Sequence, residues 1–133
     1  MSNTLTGSSP DSDTATATQR RTLVFLVGTD TTADRGPLLT AQHFAAVAAG
    51  AGLAAELRLA ARAARSVGDL PVQPDGVDVT VCPRAVEKYG ISVDQLDASG
   101  ARPRSLAEIL TEVAEGTSVL IAVTHSIDDP QVT

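Results

Sequence analysis

The first apolar run, Thr22 to Gly28 (TLVFLVG), is short, continuously hydrophobic and rich in β-formers. A run of this kind reads as a strand buried on both faces, as strands in parallel sheets are. A polar loop, Thr29 to Gly36, comes next. Pro37 then suits the first turn of a helix, where its missing N–H is not needed. The helix is expected over 37–49, with Gly50 and Gly52 as its stop. It is apolar almost all round (Leu38, Leu39, Ala41, Phe44, Ala45, Val47, Ala48), which predicts packing on more than one side.

The pattern then repeats. Leu53 to Leu59 (LAAELRL) predicts a second strand, Ala60 to Val67 a short helix ended by Gly68, and the Pro/Gly/Asp-rich stretch 69–76 a connection. Val77 to Val81 alternates apolar and polar residues, the mark of a third strand. Cys82-Pro83 closes it and opens a helix over 84–89, with Gly90 as the stop and Ile91 placed for the hydrophobic contact beyond. Ser92 and Gln95 form a capping-box pair for one more short turn, and 101–104 is a short edge strand. Ser105 and Glu108 mark a further helix start, followed by an apolar stripe at Leu106, Ile109, Leu110 and Val113. Ser118 to Val123 is a last, continuously apolar strand. Strand and helix alternate throughout, which implies a parallel sheet with helices on both faces.

Length and composition narrow the picture. The 133 residues fit one domain that needs neither disulfide nor metal as a staple. Residues 1–21 are almost devoid of apolar side chains and read as a flexible tail, as does 126–133, leaving a globular part at 22–125. No apolar stretch is long enough to span a membrane, and the first twenty residues lack the core of a secretory signal, so the expected compartment is the cytoplasm. A net charge of −6 argues against nucleic-acid binding, which depends on neutralising phosphates. Nucleotide-loop signatures are missing, and one cysteine excludes a disulfide framework. No cofactor and no metal site are expected.

Sites in an open α/β sheet lie at the carboxyl ends of its strands. Those ends are Gly28-Thr29-Asp30, Ala60-Ala61-Arg62, Cys82-Pro83-Arg84 and Thr124-His125. Cys82 is the strong nucleophile among them. As N-cap of a helix opened by Pro83, with Arg84 adding positive charge, it is expected to be a thiolate at neutral pH. Such a thiolate can carry a persulfide, form an intermolecular disulfide or attack a substrate; the other reading is a small buried hydrophobe. His125 follows the last strand as a candidate proton shuttle or thiolate partner, or an ordinary surface histidine. The loop opened by Thr29 is a candidate anion cradle or a plain turn, and His43 reads as a packing or interface residue.

The strand that ends in cysteine and leads to a short helix closed by Gly-Ile (Val77–Val81, Cys82, Pro83, Tyr89, Gly90, Ile91) resembles the DsrE/DsrF-like family of sulfur-relay proteins, TusD-type subunits included. The likeness extends to the Leu23–Gly52 strand, loop and Ala-rich helix, to Asp94-Gln95-Leu96, to the Ser105–Glu108 helix start and to the last strand. It implies a three-layer α/β/α sandwich with a mainly parallel five-stranded sheet. It also implies a homo-oligomer, trimer or hexamer, and a sulfur donor or acceptor protein as partner. In the sulfurtransferases of that family, the cysteine after the third strand accepts sulfane sulfur as a persulfide; Cys82 matches that position. One departure stands out: Ala60–Arg65 replaces the Gly-Asp-Gly type of turn common after the second strand. Two functions follow as expectations, a sulfur carrier acting through Cys82, or a non-catalytic oligomeric module binding a small ligand or a protein at the same edge.

Overall fold

The computed structural model describes residues 21–126. Except for Arg21 and Ser126, the two expected tails lie outside the described residues. Five strands alternate with helices: β1 (Thr22–Val27), α1 (Gly36–Gly50), β2 (Ala54–Leu59), a 3-10 helix (Ala61–Asp69), β3 (Val77–Val81), α2 (Pro83–Lys88), α3 (Val93–Ser99), β4 (Ala101–Pro103), α4 (Leu106–Ala114) and β5 (Ser118–Ala122). All pairs are parallel and the order is β4-β3-β2-β1-β5. With helices on both sides this is the expected three-layer α/β/α sandwich. Among the described residues no helix is long and apolar enough to cross a membrane.

Strand order explains the layers. From β1 to β4 the chain steps in one direction across the sheet, so right-handed connections keep the intervening helices on one face. The return from β4 to β5 runs the other way, which sends α4 to the opposite face. Side chains obey the same division, because directly paired residues in parallel strands share a face. Phe25, Val27, Ala55, Leu57, Leu59, Val79, Val81 and Ala101, all odd-numbered, form one buried cluster with Leu38, Ala41, Ala45 and Ala48 of α1, Ala63 and Val67 of the 3-10 helix, and Leu96 of α3. The even-numbered face is different. It buries Glu56, Arg58, Thr80 and Arg104, and its buried Val24, like Ile109 of α4, stands outside the main cluster.

Local signals in the sequence account for most helix ends. Pro83 begins α2, and Gly90, with φ of 62°, ends it. There the Ile91 N–H donates to the Val86 carbonyl and the Gly90 N–H to that of Glu87, the paired bonds of a Schellman motif. The Ser92–Gln95 capping box is complete. At α4 only half the box forms: the Ser105 hydroxyl accepts from the Glu108 N–H, while the Glu108 carboxylate lies beside Arg104 instead.

Four expectations need correction. The 60–67 helix is 3-10, not α, because it starts from Ala61 in the left-handed region (φ 50°) and closes on i to i+3 bonds. Helix α1 packs on one side only; Leu39, Phe44 and Val47 remain exposed, since the single sheet beneath it covers one face. The last apolar strand is an edge strand and is only partly buried. Of the α4 stripe, Ile109 alone is fully buried and Leu106 and Leu110 face outward, because α4 is a single helix on its side of the sheet.

Candidate functional site

Strand β3 delivers Cys82 to the carboxyl edge of the sheet. Thr80 and Val81 are buried, so the strand is fixed up to the residue before the sulfur. Cys82 takes extended backbone angles (φ −69°, ψ 132°) as N-cap of α2, and its carbonyl accepts the first helical bonds from Ala85 and Val86. The thiol is half-buried and unoxidised. It opens into a cleft of about 340 Å³ whose wall includes Ala61, Arg62, Arg84, Lys88 and Tyr89. Three cations and no carboxylate line it.

Each wall residue has a local cause. Arg84 and Lys88 are four residues apart on α2 and therefore share a face. Lys88 Nζ stands 5.5 Å from the Tyr89 ring centre, and the Arg65 guanidinium lies 6.0 Å from the same ring. Arg65 also reaches Asp30 at 3.7 Å, across the carboxyl ends of two strands. The Thr32 hydroxyl and then its N–H donate to Asp30; with Arg65 and Arg62 nearby they outweigh desolvation and hold its carboxyl below the usual range. Ala61 is a non-glycine residue with φ of 50°, a strained conformation costing on the order of 1–3 kcal/mol, and it forms the floor between β2 and the cleft.

Behind Cys82 lies a buried polar cluster on the even face. Arg58, 1% exposed, pairs in register with Thr80, and its Nη1 donates to the Arg104 carbonyl at 2.5 Å. Arg104 in turn donates its N–H to the Val81 carbonyl at 2.9 Å, which puts the Arg58 guanidinium at the end of β3. Burial pulls the Arg58 pKa down from its ordinary value; the charges of Cys82 and then Glu56 work against that, while Arg104 adds to it. The Nε of Arg58 is buried with no hydrogen-bond partner. Arg104 joins Glu56 at 2.8 Å and also pairs with Glu112, and Thr80 donates to Glu56 at 2.7 Å. Burial lowers the pKa of Arg104, but the hydrogen bonds and charges of Glu112 and Glu56 prevail and raise it.

The four residues singled out from the sequence do not converge. Cys82 and Arg84 share the cleft. Thr29 is exposed at the end of β1, and His125 follows β5; neither lines the Cys82 cleft. Between β3 and β5 stand β2 and β1, three strand spacings or about 14 Å. His125 lines a smaller cleft of about 210 Å³ with Phe44, Ile121 and Thr124, at the point where strand order reverses between β1 and β5. That crevice position is a common ligand site in open sheets; its walls here are mainly apolar, carry no cysteine, and have Thr40, Thr124, His125 and Ser126 as their polar residues. Sequence reading passed over Arg58, Lys88 and Tyr89. Arg58 had a signal, a charge in mid-strand beside Glu56; Lys88 had its spacing from Arg84. Among the described residues no group of three or more His, Cys, Asp and Glu is placed to hold a metal ion.

Comparison with solved structures agrees on the fold. The chain is similar to a conserved protein of unknown function, BT1422 from Bacteroides thetaiotaomicron, at a TM-score of 0.59 and 16% identity, over 80% of this chain and 97% of that one. It is also similar to the YchN protein from E. coli, at a TM-score of 0.56 and 15% identity, over 77% and 98% of the two chains. At such identities the likeness is one of fold. No family model and no curated protein sequence matches the chain.

Proposed function

We propose that this protein is a DsrE-like sulfur carrier: Cys82 accepts sulfane sulfur as a persulfide and passes it to a partner protein. The observation that carries the reading is the half-buried Cys82 thiol at the mouth of a cleft lined by Arg62, Arg84 and Lys88 and by no acid. A thiolate attacking a sulfane sulfur and the terminal persulfide it becomes are both anionic, and cations on the cleft wall and at Arg58 favour both. The non-catalytic reading of the same edge calls for a buried cysteine in an apolar lining, whereas Cys82 is half-buried and its lining includes three cations. His125 enters as a residue of a second cleft, not as the thiolate's partner.

The reading includes a homo-oligomer, trimer or hexamer, in which the exposed side chains Leu39, Phe44 and Val47 of α1 are covered. A groove of about 460 Å³ runs beside them, lined by Leu23, Phe25, Val47, Leu53 and Ile121. Light scattering at micromolar concentration is expected to give a multiple of the chain mass; a single-chain mass would remove the oligomer from the reading. Function is tested by mass spectrometry after incubation with a sulfane-sulfur donor. One added sulfur on wild type and none on Cys82→Ser supports it, and no added sulfur on wild type rejects it.

A further inference from the structure

Five of the chain's ten basic residues gather around one edge of the sheet: Arg58, Arg62, Arg65, Arg84 and Lys88. Arg65 has Asp30 as its ion-pair partner. Arg84 and Lys88 are like charges at helical neighbour spacing, which is unfavourable by itself, and no carboxylate in the cleft relieves them. Beneath the sulfur, Arg58 is almost wholly buried and its Nε has no partner. The acids near the cluster, Asp30 beside Arg65 and Arg62 and Glu56 beside Arg58, stand outside the cleft lining. A cleft lined by three cations and no carboxylate beside a nucleophile fits a small anion that arrives from solution.

We propose that the Cys82 cleft is a receptor for a small sulfane-sulfur dianion of the thiosulfate class, held by Arg62, Arg84 and Lys88 with its outer sulfur toward Cys82. The proposal rests on the sulfur-carrier reading and adds the donor: an inorganic anion in solution rather than the persulfide of another protein. The step balances. The Cys82 thiolate attacks the outer sulfur of thiosulfate, a new S–S bond forms, and the bond to the sulfonate sulfur breaks with its electron pair leaving on sulfite. A monoanion and a dianion give a persulfide monoanion and a sulfite dianion, with no oxidant or reductant consumed. Arg58 and the three wall cations serve the same end, since the thiolate's one negative charge and the thiosulfate's two must be held close together while the sulfur is transferred.

The test uses the full chain, as wild type, as Arg84→Gln and as Arg62→Gln/Arg84→Gln/Lys88→Gln. These side chains are exposed, and circular dichroism verifies that the fold is kept. Two alkylating reagents of equal shape, neutral iodoacetamide and anionic iodoacetate, report the charge of the cleft at Cys82. Thiosulfate and inorganic polysulfide report sulfur loading by intact mass. Expected is a ratio of iodoacetate to iodoacetamide rates that falls roughly tenfold or more from wild type to the triple variant, with Arg84→Gln between. Thiosulfate is expected to load one sulfur on wild type with one sulfite released, and the triple variant to lose most of that loading. An unchanged rate ratio overturns the inference. So does loading by polysulfide and not by thiosulfate, which leaves the carrier reading standing. No loading by either donor, with iodoacetamide still reacting, overturns the inference together with the carrier reading.

Discussion

The two faces of the sheet are built on different principles. The odd-numbered face is wholly apolar and meets α1, the 3-10 helix, α2 and α3 in one continuous cluster. The even-numbered face meets α4 alone and buries an ionic group, Glu56, Arg58, Thr80 and Arg104, with Glu112 at its rim. An apolar face is stabilised by every residue a little. An ionic face depends on complete pairing, since a buried charge without a partner costs more than the pair contributes. Both faces touch the candidate site: Cys82 and Tyr89 pack against the apolar cluster, and the ionic face reaches Cys82 through Arg58. The helices of the apolar face bring the wall cations Arg62, Arg84 and Lys88 to Cys82, and the ionic face adds Arg58.

The sharpest way to break this comparison is Arg104→Ala. It leaves Glu56, itself 3% exposed, without its ion pair, and is expected to cost about 3–5 kcal/mol in urea unfolding. Leu57→Ala on the opposite face empties a fully buried site and is expected to cost about 2–5 kcal/mol. Replacing both partners, Glu56→Leu with Arg104→Met, separates the two principles: it is expected to recover most of the Arg104→Ala loss. A double variant as unstable as the single one would mean that the ion pair itself, and not the uncompensated charge, holds α4 to the sheet.

Legibility from sequence followed the same division. The odd face was readable because apolar runs, Pro37, Pro83, Gly90 and the Ser92–Gln95 box are local signals. The even face was not. Glu56 and Arg58 sit in a strand whose composition says only that it is β, and their partners Thr80 and Arg104 lie 22 to 48 residues away from them in the chain. Strand order was also hidden: β5 reads as a buried strand by composition, and its edge position follows only from the reversal between β4 and β5. At the site, the position of Cys82 and Arg84 could be read from strand end and proline. That Arg62 joins them, and that His125 lies three strands off, depends on the order of strands, whereas Lys88 was within reach of helical spacing from Arg84.

Smaller effects sharpen the account. Arg58→Met removes the donor to Thr80 and to the Arg104 carbonyl but also the unpartnered Nε, so its expected cost is only about 1–2 kcal/mol. Iodoacetamide labelling of Cys82 is expected to slow several-fold in this variant; an unchanged rate would detach the ionic face from the site.

Acid should weaken the ionic face before the apolar one. The Arg104 hydrogen bond, aided by Ser118 and opposed by burial, holds the Glu112 carboxyl below its ordinary value of 4.5. Because the folded value is depressed, this contribution is complete above pH 4.5 and is lost as pH falls through the lowered value. Urea midpoints from neutral pH down to about pH 3 should fall less steeply for Glu112→Gln than for wild type. Parallel slopes would take Glu112 out of the network. The smallest change expected is a gain, not a loss: Ala61→Gly relieves a left-handed alanine and should stabilise by up to about 1 kcal/mol, read from the same urea curves.

Sulfur on Cys82 is the claim on which the functional account stands, and intact-mass measurement after donor treatment addresses it directly. Wild-type protein, folded and without reductant, is incubated with thiosulfate and with polysulfide beside Cys82→Ser. The account predicts one added sulfur atom on wild type, removed again by dithiothreitol, and an unchanged mass for Cys82→Ser. Wild-type protein that gains no sulfur from either donor, with its thiol still open to iodoacetamide, would contradict it.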